Sequence, residues 1–480
     1  MVRLPKIFKN SAIYSIVTML QKGIAFFLLP LYTAFLTPED YGTINVVLAV
    51  SSLLSQLIML ALNGAATRFH YKTDDEEKRK VLWGTISTLV IISTIGWTAV
   101  FFFLHKYLVD PFVGSIDFYP FIVLGLINTA LAPLYILFQS YLQARQNAVQ
   151  YGINTLSNFL IHLGLAILLI AYFKLGALGM LLANVITSLL FFIYVIIAFI
   201  PKLKFGVNKE VSKSAFKYSL PLLPHQLSMW GAGTIDRLLL NGLKDEGETG
   251  LYSVAQQFAS VIGSIAFAVN QAFVPWFFEQ LRDGKKGISN IVKVADVVVL
   301  GYCIISLIVS LFAPEILHIM VSEKYRMIWS ILPLVCFASV FQGIYYLFIN
   351  VLFIKDTSYV FIVTLTSMVV NIVANIIMIP LWGLMGCAIA CFLSYFVRSL
   401  LAMIISMIKN KEIRYHYGRI YMITAITFII SMANWVMPDT TVIVSLILKL
   451  ALVLLLSVAF YVPNRKTVAL LINRYLKSNK

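Results

Sequence analysis

The sequence predicts an all-α polytopic membrane protein with about 14 transmembrane helices. These form two six-helix lobes related by a pseudo-two-fold along the membrane normal, plus two extra C-terminal helices. Three observations carry this. Of 480 residues, 60% are hydrophobic and only 12% charged, against roughly 45–50% and about 25% in soluble domains. Apolar runs of about 20 residues, long enough to cross a bilayer, recur along the whole chain between polar or Gly/Pro breaks. Sliding the chain by 208 residues lays the first two runs on the seventh and eighth without a gap. A soluble multidomain protein is excluded.

In order, the spans are Asn10–Leu36, Tyr41–Ala66, Val81–Leu104, Phe118–Tyr141, Tyr151–Phe173, Gly176–Ile200, Tyr218–Gly242, Gly250–Pro275, Ile291–Ala313, Trp329–Phe353, Tyr359–Pro380, Gly383–Met407, Ile420–Met437 and Val442–Val462. The first follows a basic start (Arg3, Lys6, Lys9) and shows no cleavage site, so it reads as a retained span and not a signal peptide. The domain plan is residues 1–200 for the N-terminal lobe, 201–217 for a cytoplasmic linker and 218–407 for the C-terminal lobe. The extra helices occupy 408–462, and 463–480 form a basic tail.

Charge sets the orientation. The net +16 does not point to nucleic acid, because 28 of the 37 Lys and Arg, counting Lys293 at the cytoplasmic edge of span 9, fall on the N-terminus, the even-numbered loops and the C-terminal tail. Five lie opposite: Lys106, Lys174, Lys244, Lys324 and Arg326. Both termini are therefore expected in the cytoplasm, with the positive loops facing anionic headgroups. The four cysteines all fall in apolar runs. Cys387 and Cys391 share a helix face, but no His or carboxylate flanks them, so helix packing is expected and not a metal site.

The repeat is carried by turns and polar positions more than by identity. Gly42, after the PED turn, meets Gly250, after the EGET turn; Ser52, Gln56 and Asn63 meet Ser260, Ser264 and Gln271. A shift of 207 puts Gly176 and Gly179 on Gly383 and Gly386. Such parallel lobes place a substrate site between them.

Polar side chains recur at helical spacing inside several spans. Ser11, Ser15, Thr18 and Lys22 make a stripe in span 1; Ser52, Gln56 and Asn63 one in span 2; Ser219, Gln226, Trp230 and Arg237 one in span 7. Spans 5 and 11 add Asn154, Asn158, His162 and Thr364, Ser367, Asn371, Asn375. Interhelical hydrogen bonding explains most such Ser, Asn and Gln residues, and a packed core explains a lone His162. Cations differ: at mid-membrane each costs at least ~2.5–3.5 kcal/mol, so each must face protein or water. Lys22 has no carboxylate in its span, whereas Asp236 stands beside Arg237. Arg398 and Lys449 are expected to reach toward an interface.

LPLYTAFLTPEDYG (Leu29–Gly42), KYSLPLLPHQLSMW followed by IDRLLL (Lys217–Leu240), GLYSVAQQFA (Gly250–Ala259) and NIVANIIMIPLWGLMGCAIA (Asn371–Ala390) resemble the polysaccharide transport proteins. These are Wzx-type flippases of the superfamily that also holds the MATE exporters and the lipid II flippase. The resemblance covers nearly the whole chain. It implies a multi-pass protein of the bacterial or archaeal plasma membrane that moves a polyprenyl-diphosphate-linked oligosaccharide to the outer leaflet by alternating access. It also implies basic cavity residues that hold the diphosphate, a role carried here to Lys22 and to Arg237, the latter in an Asp236–Arg237 pair matching the family's DR motif. The closely spaced arginines of the lipid II branch are missing from the first spans.

The candidate substrate-binding set is Lys22, Arg237, Asp236, Asn63, Gln56 and Gln271. His162, Asn371, Asn375 and Arg398 are candidates for coupling or a secondary role. No cofactor and no catalytic residue are expected, Na⁺ or H⁺ coupling stays open, and the partners are the lipid-linked glycan, membrane lipids and other polysaccharide assembly proteins, with the chain itself a monomer. A MATE-type exporter of cationic drugs shares the fold, but needs acidic groups inside its lobes, and only Asp236 and Asp296 lie within spans. A membrane-embedded glycan polymerase or ligase would need an acid, base or metal cluster outside. The longest external loops, around Lys106–Ile116 and Pro314–Ile328, offer only the separate His105 and His318. No P-loop is present.

Overall fold

The computed structural model describes residues 13–14, 17, 19–21, 23–114, 116–354, 358–436, 445–456 and 458. Among these there are helices and turns but no strand, as expected where hydrocarbon forces each segment to satisfy its own backbone. By internal contacts the chain divides into two compact units, Met1–Ser253 and Val254–Lys480.

The first unit contains α1 (Leu29–Phe35), α2 (Pro38–Met59), α3 (Leu62–His70), α4 (Glu76–Phe103), α5 (Val123–Ala144), α6 (Ala148–Ile167), α7 (Gly176–Ala198), α8 (Lys209–Ser219), α9 (Leu223–Leu243) and the start of α10 (Glu246–Gln280). The second continues with α11 (Gly284–Leu311), α12 (Ala313–Met320), α13 (Leu332–Leu352), α14 (Ser358–Lys409), α15 (Tyr417–Ser431) and α16 (Ser445–Leu456). Eight stretches among the described residues are long and apolar enough to cross a membrane. Two of them, Glu246–Leu311 with 66 residues and Tyr359–Lys409 with 51, are each two crossings long. They turn at residues 281–283 and at Gly383, whose φ is +53°.

Helix ends are set by short polar caps where the chain leaves the apolar layer. Thr37 and Asp40 form a capping box on α2, with Pro38 in its first turn. Asp75 caps α4, Asn147 caps α6 and Asn208 caps α8 through their side-chain oxygens. Asp245 accepts the Glu248 backbone N–H at 2.8 Å at the start of α10. The linker expected at 201–217 is largely the helix α8, which runs through the turn 220–222 into α9. The second span is not one helix: Leu60 and Ala61 both adopt left-handed φ, +45° and +57°, and separate α2 from α3.

The repeat has a structural counterpart within the first unit. A Cβ on Gly42 would collide with the Glu246 carbonyl oxygen, and one on Gly250 with the Pro38 carbonyl oxygen. Glu246 lies 208 residues after Pro38, as Gly250 lies 208 after Gly42, so the two collisions exchange under a local two-fold. Thr37 and Asp245, likewise 208 apart, cap the two helices that meet here. Gly176 and Gly383 share a φ of +53°, and a Cβ on Gly179 or Gly386 would press on the carbonyl of Leu169 or Met378. Glycine is required here for close backbone approach.

Each unit has its own core. In the first, Trp83, Phe138, Tyr141 and Phe199 stack edge-on or tilted among α4, α5 and α7. The Trp83 Nε1–H donates to His70 Nδ1 at 3.1 Å, and burial, with the Arg79 and Arg145 charges behind it, lowers the His70 pKa and keeps that nitrogen an acceptor. In the second, α13 is buried on nearly every side among α11, α14 and α15, as a helix apolar all round must be.

Alanine at Gly42 or Gly250 inserts a methyl into carbonyl oxygen at a backbone contact that cannot open. Each variant should lower the melting temperature in detergent clearly, and by similar amounts. Gly64→Ala and Gly233→Ala, where a Cβ meets nothing within 4 Å, should leave it unchanged. Thermal unfolding of the four proteins checks this.

Candidate functional site

Lys22, with Ser11, Ser15 and Thr18 of its stripe, lies outside the described residues. The other candidates of the first unit are placed by α2, α3, α6 and α9. Asp236 and Arg237 are successive on α9 and so point about 100° apart. Asp236 is buried and accepts the Tyr252 hydroxyl at 2.7 Å. Arg237 is half-buried, and its buried Nε has no hydrogen-bond partner among the described residues. The salt bridge that adjacency suggested is not made: Tyr252 holds the carboxylate, and no carboxylate oxygen of the described residues lies within 4 Å of the guanidinium.

Trp230, the residue that overlays Lys22, donates its indole N–H to Ser52 Oγ at 2.8 Å and so joins the stripes of spans 2 and 7. Gln56 is half-buried one turn beyond Ser52 on α2. Asn63 does not continue that stripe, because the left-handed pair Leu60–Ala61 intervenes and puts it in the first turn of α3. His162 is half-buried on α6, its Nε2 without a partner among the described residues.

In the second unit Gln271 is exposed on α10. Asn371, Asn375 and Arg398 belong to one buried network. Arg398 is only 2% exposed. Its Nη1 donates to Gln342 Oε1 at 2.8 Å and its Nε to Ser367 Oγ at 3.2 Å. Its guanidinium lies 4.7 Å from the Tyr395 ring centroid. Ser367 donates onward to the Ser394 carbonyl, Asn371 donates to Ser394 Oγ, and Asn375 donates to the Asn371 carbonyl. Nη2 has no partner among the described residues. Arg398 therefore does not reach for an interface; neutral oxygens and two aromatic faces hold it inside the unit. Its signal in the sequence was Ser394 and Arg398 one turn apart, facing a Ser367–Asn371–Asn375 stripe of the same spacing.

Lys449 also stays inside, through an ion pair with Glu315 at 2.7 Å. Asp296 is buried and takes His416 Nδ1 at 2.8 Å and Arg419 at 3.4 Å. Asn434 donates to the Ser310 and Leu311 carbonyls. These contacts fasten α15 and α16 to α11 and α12. His105, expected on the outside, is not isolated: it stacks on Phe118 at 3.7 Å and meets Asp110 at 3.0 Å. Among the described residues no group of three His, Cys, Asp or Glu could hold a metal.

The span carboxylates Asp236 and Asp296, and Glu315 at a span end, are thus all engaged, while Arg237 and Arg398 have no acidic partner among the described residues. The sequence model described as "Polysaccharide biosynthesis protein" matches residues 7–281, more than half of the chain. The chain belongs to that family. Residues 221–377 also match the MatE model. Among curated proteins, "Lsg locus putative protein 1" of Haemophilus influenzae is 24% identical over 301 residues, 60% of this chain and 70% of that one. An "Uncharacterized membrane protein" of the same organism is 24% identical over 290 residues, 59% and 68% of the two chains.

Among solved structures, the lipid II flippase MurJ in its inward closed conformation superposes with a TM-score of 0.73 at 16% identity, over 95% of this chain and 99% of that one. A multidrug resistance MATE family transporter in an inward-facing conformation gives 0.57 at 15%, over 83% and 98%. The family resemblance read from the sequence strings holds, and this polysaccharide biosynthesis family member has the multi-pass fold shared by the flippase and the MATE transporter.

The two buried cations of the second unit predict opposite responses. Lys449→Met leaves Glu315 without its ion-pair partner and should lower the melting temperature, because breaking a buried pair costs ~3–5 kcal/mol; the part-exposed Glu315 side chain puts the loss at the low end. Arg398→Met abandons no carboxylate and should hold the melting temperature within about 3 °C or raise it. Differential scanning fluorimetry of both variants checks this.

Proposed function

We propose that this chain is a flippase that moves a polyprenyl-diphosphate-linked oligosaccharide from the cytoplasmic to the outer leaflet of a bacterial or archaeal plasma membrane, with both termini in the cytoplasm. The observation that carries the reading is the surplus positive charge inside the spans. Arg237 and Arg398 meet no carboxylate among the described residues, while the carboxylates within the spans are engaged by Tyr252, His416 and Arg419. A drug exporter of cations needs the reverse. An anionic head with a long apolar tail suits such an interior, since only the hydrated head must leave the bilayer.

In this reading Lys22 receives the diphosphate from the cytoplasmic side. Arg237, seven residues beyond the position that overlays Lys22 and so about 10 Å farther out at 1.5 Å per residue, takes it as access changes. A head with about two negative charges moving outward down an inside-negative potential of about 100 mV is favoured by roughly 4.6 kcal/mol, at about 2.3 per charge. Alternating access around fixed cations lets the head gain this without moving them through the field. The charge asymmetry of the loops supports the orientation. The family description and the fold shared with a lipid flippase support the class of cargo.

The test is a deletion strain with lipid extraction. The parent deletion should accumulate one polyprenyl-linked oligosaccharide on the cytoplasmic face. Lys22→Ala should fail to relieve this while folded protein stays in the membrane, and Lys22→Arg should relieve it in part. Full complementation by Lys22→Ala would remove the diphosphate site.

A further inference from the structure

The far end of α9 is held by a strap that the charge argument does not use. Between α4 and α5 the chain, at residues 104–114 and 116–118, forms two one-turn helices, His105–Leu108 and Asp110–Val113. The strap is built on itself. His105 stacks on Phe118 and meets Asp110, the Val109 N–H donates to the His105 carbonyl, and the Phe112 and Val113 N–H groups donate to the Val109 carbonyl. Val109, Val113 and Ile116 are buried in the apolar core of the first unit, which also takes Leu238 of α9.

Asn241, one turn beyond Leu238, is only 2% exposed and donates its Nδ2–H to the Val113 carbonyl. Gly114 makes this approach possible: its φ is +63°, and a Cβ there would stand 3.0 Å from Asn241 Nδ2 and 3.1 Å from the Asn241 carbonyl oxygen. A Cβ on Gly242 would sit 3.6 Å from the Pro111 carbonyl oxygen and 3.8 Å from that of Phe112. Yet the amide is only half matched. Asn241 Oδ1 is buried and has no hydrogen-bond partner among the described residues. The Val113 carbonyl, for its part, also accepts the Ile116 N–H at 3.3 Å. Withdrawing α9 would leave that carbonyl a donor and let water reach Oδ1, which offsets part of the bond that is lost. A clamp meant to stay shut would match both ends of a buried amide; this one is tight when made and ready to release.

α9 is the element placed to use it. The repeat makes it the first span of the second lobe, whereas its contacts put it in the first unit. Pro221 and Pro224 stand at its near end, and α10, which follows it, crosses from the first unit into the second between Ser253 and Val254. We propose that the strap and Asn241 are a latch, which holds the end of α9 while the cavity faces the cytoplasm and lets it go when the cavity opens outward. This deepens the flippase reading and rests on it, since that reading's orientation puts the strap outside. Opening and closing of such elements commonly sets the rate of a cycle.

The test uses full-length protein carrying Phe112→Cys and Gly242→Cys, two exposed positions flanking the contact; the native Cys303, Cys336, Cys387 and Cys391 are buried. In liposomes, joining the pair with a short bis-methanethiosulfonate reagent should slow translocation of a fluorescent polyprenyl-diphosphate sugar lipid about tenfold or more, and dithiothreitol should restore it. A second readout needs no transport. Spin labels on the same pair should show strong dipolar broadening, and Asn241→Ala should raise the unbroadened fraction about fivefold, the weight of one hydrogen bond. Full-rate translocation by the joined protein, or broadening that Asn241→Ala leaves unchanged, overturns the latch while the flippase reading stands. An unjoined protein that moves no lipid, although its labels part on Asn241→Ala, overturns the flippase reading and with it the latch's part in transport.

Discussion

A charge or hydrogen-bonding group inside hydrocarbon must be matched by protein or water, and most of this chain's organisation follows from how each such group is matched. Helix ends are closed by Thr37, Asp75, Asn147, Asn208 and Asp245 where the backbone leaves the apolar layer. Acidic groups are given donors: Asp236 takes Tyr252, Asp296 takes His416 and Arg419, Glu315 takes Lys449. Among the described residues, Arg237 and Arg398 are left without an acidic partner. Arg398 is held by neutral oxygens and tyrosine rings, and Arg237 Nε has no partner among the described residues. Among the described residues each span carboxylate has at least one donor while two arginines have no carboxylate, an arrangement that suits an anion.

The second constraint is close approach of backbone. Gly42 against the Glu246 carbonyl and Gly250 against the Pro38 carbonyl are one contact seen from its two sides, and the capping residues Thr37 and Asp245 stand at the same offset. Symmetry of this kind fixes where helices begin, and so which polar side chains face inward along them. Because Trp230 takes the Lys22 position of the repeat and bonds Ser52, the two halves of the repeat are not chemically equal. One offers an ammonium where the other offers an indole, with its arginine two turns farther along.

The spans, the repeat offset and the family were legible because they rest on periodicity, turn glycines and composition, which the chain writes locally. The break at Leu60–Ala61 was not, because neither residue is glycine or proline and left-handed backbone there is imposed by packing. Lys449 and Arg398 were misread as reaching for an interface. Their real partners, Glu315 at 134 residues' separation and Gln342 at 56, are contacts no local pattern encodes. Asp236 and Arg237 show the opposite error: adjacency in sequence suggested a pair, while helical geometry sends successive side chains to different faces.

The sign of the cargo is the point on which the rest turns, and it can be measured without knowing the glycan. Purified protein in liposomes of one orientation, with an imposed potential, can be offered a fluorescent polyprenyl-diphosphate sugar lipid and a lipophilic cationic dye in the same vesicles. Translocation of the anionic lipid, faster when the cytoplasmic side is negative and absent in the Lys22→Ala protein, with no protein-dependent movement of the dye, is the expected result. Protein-dependent movement of the dye with the lipid left in place would contradict an anion-carrying interior.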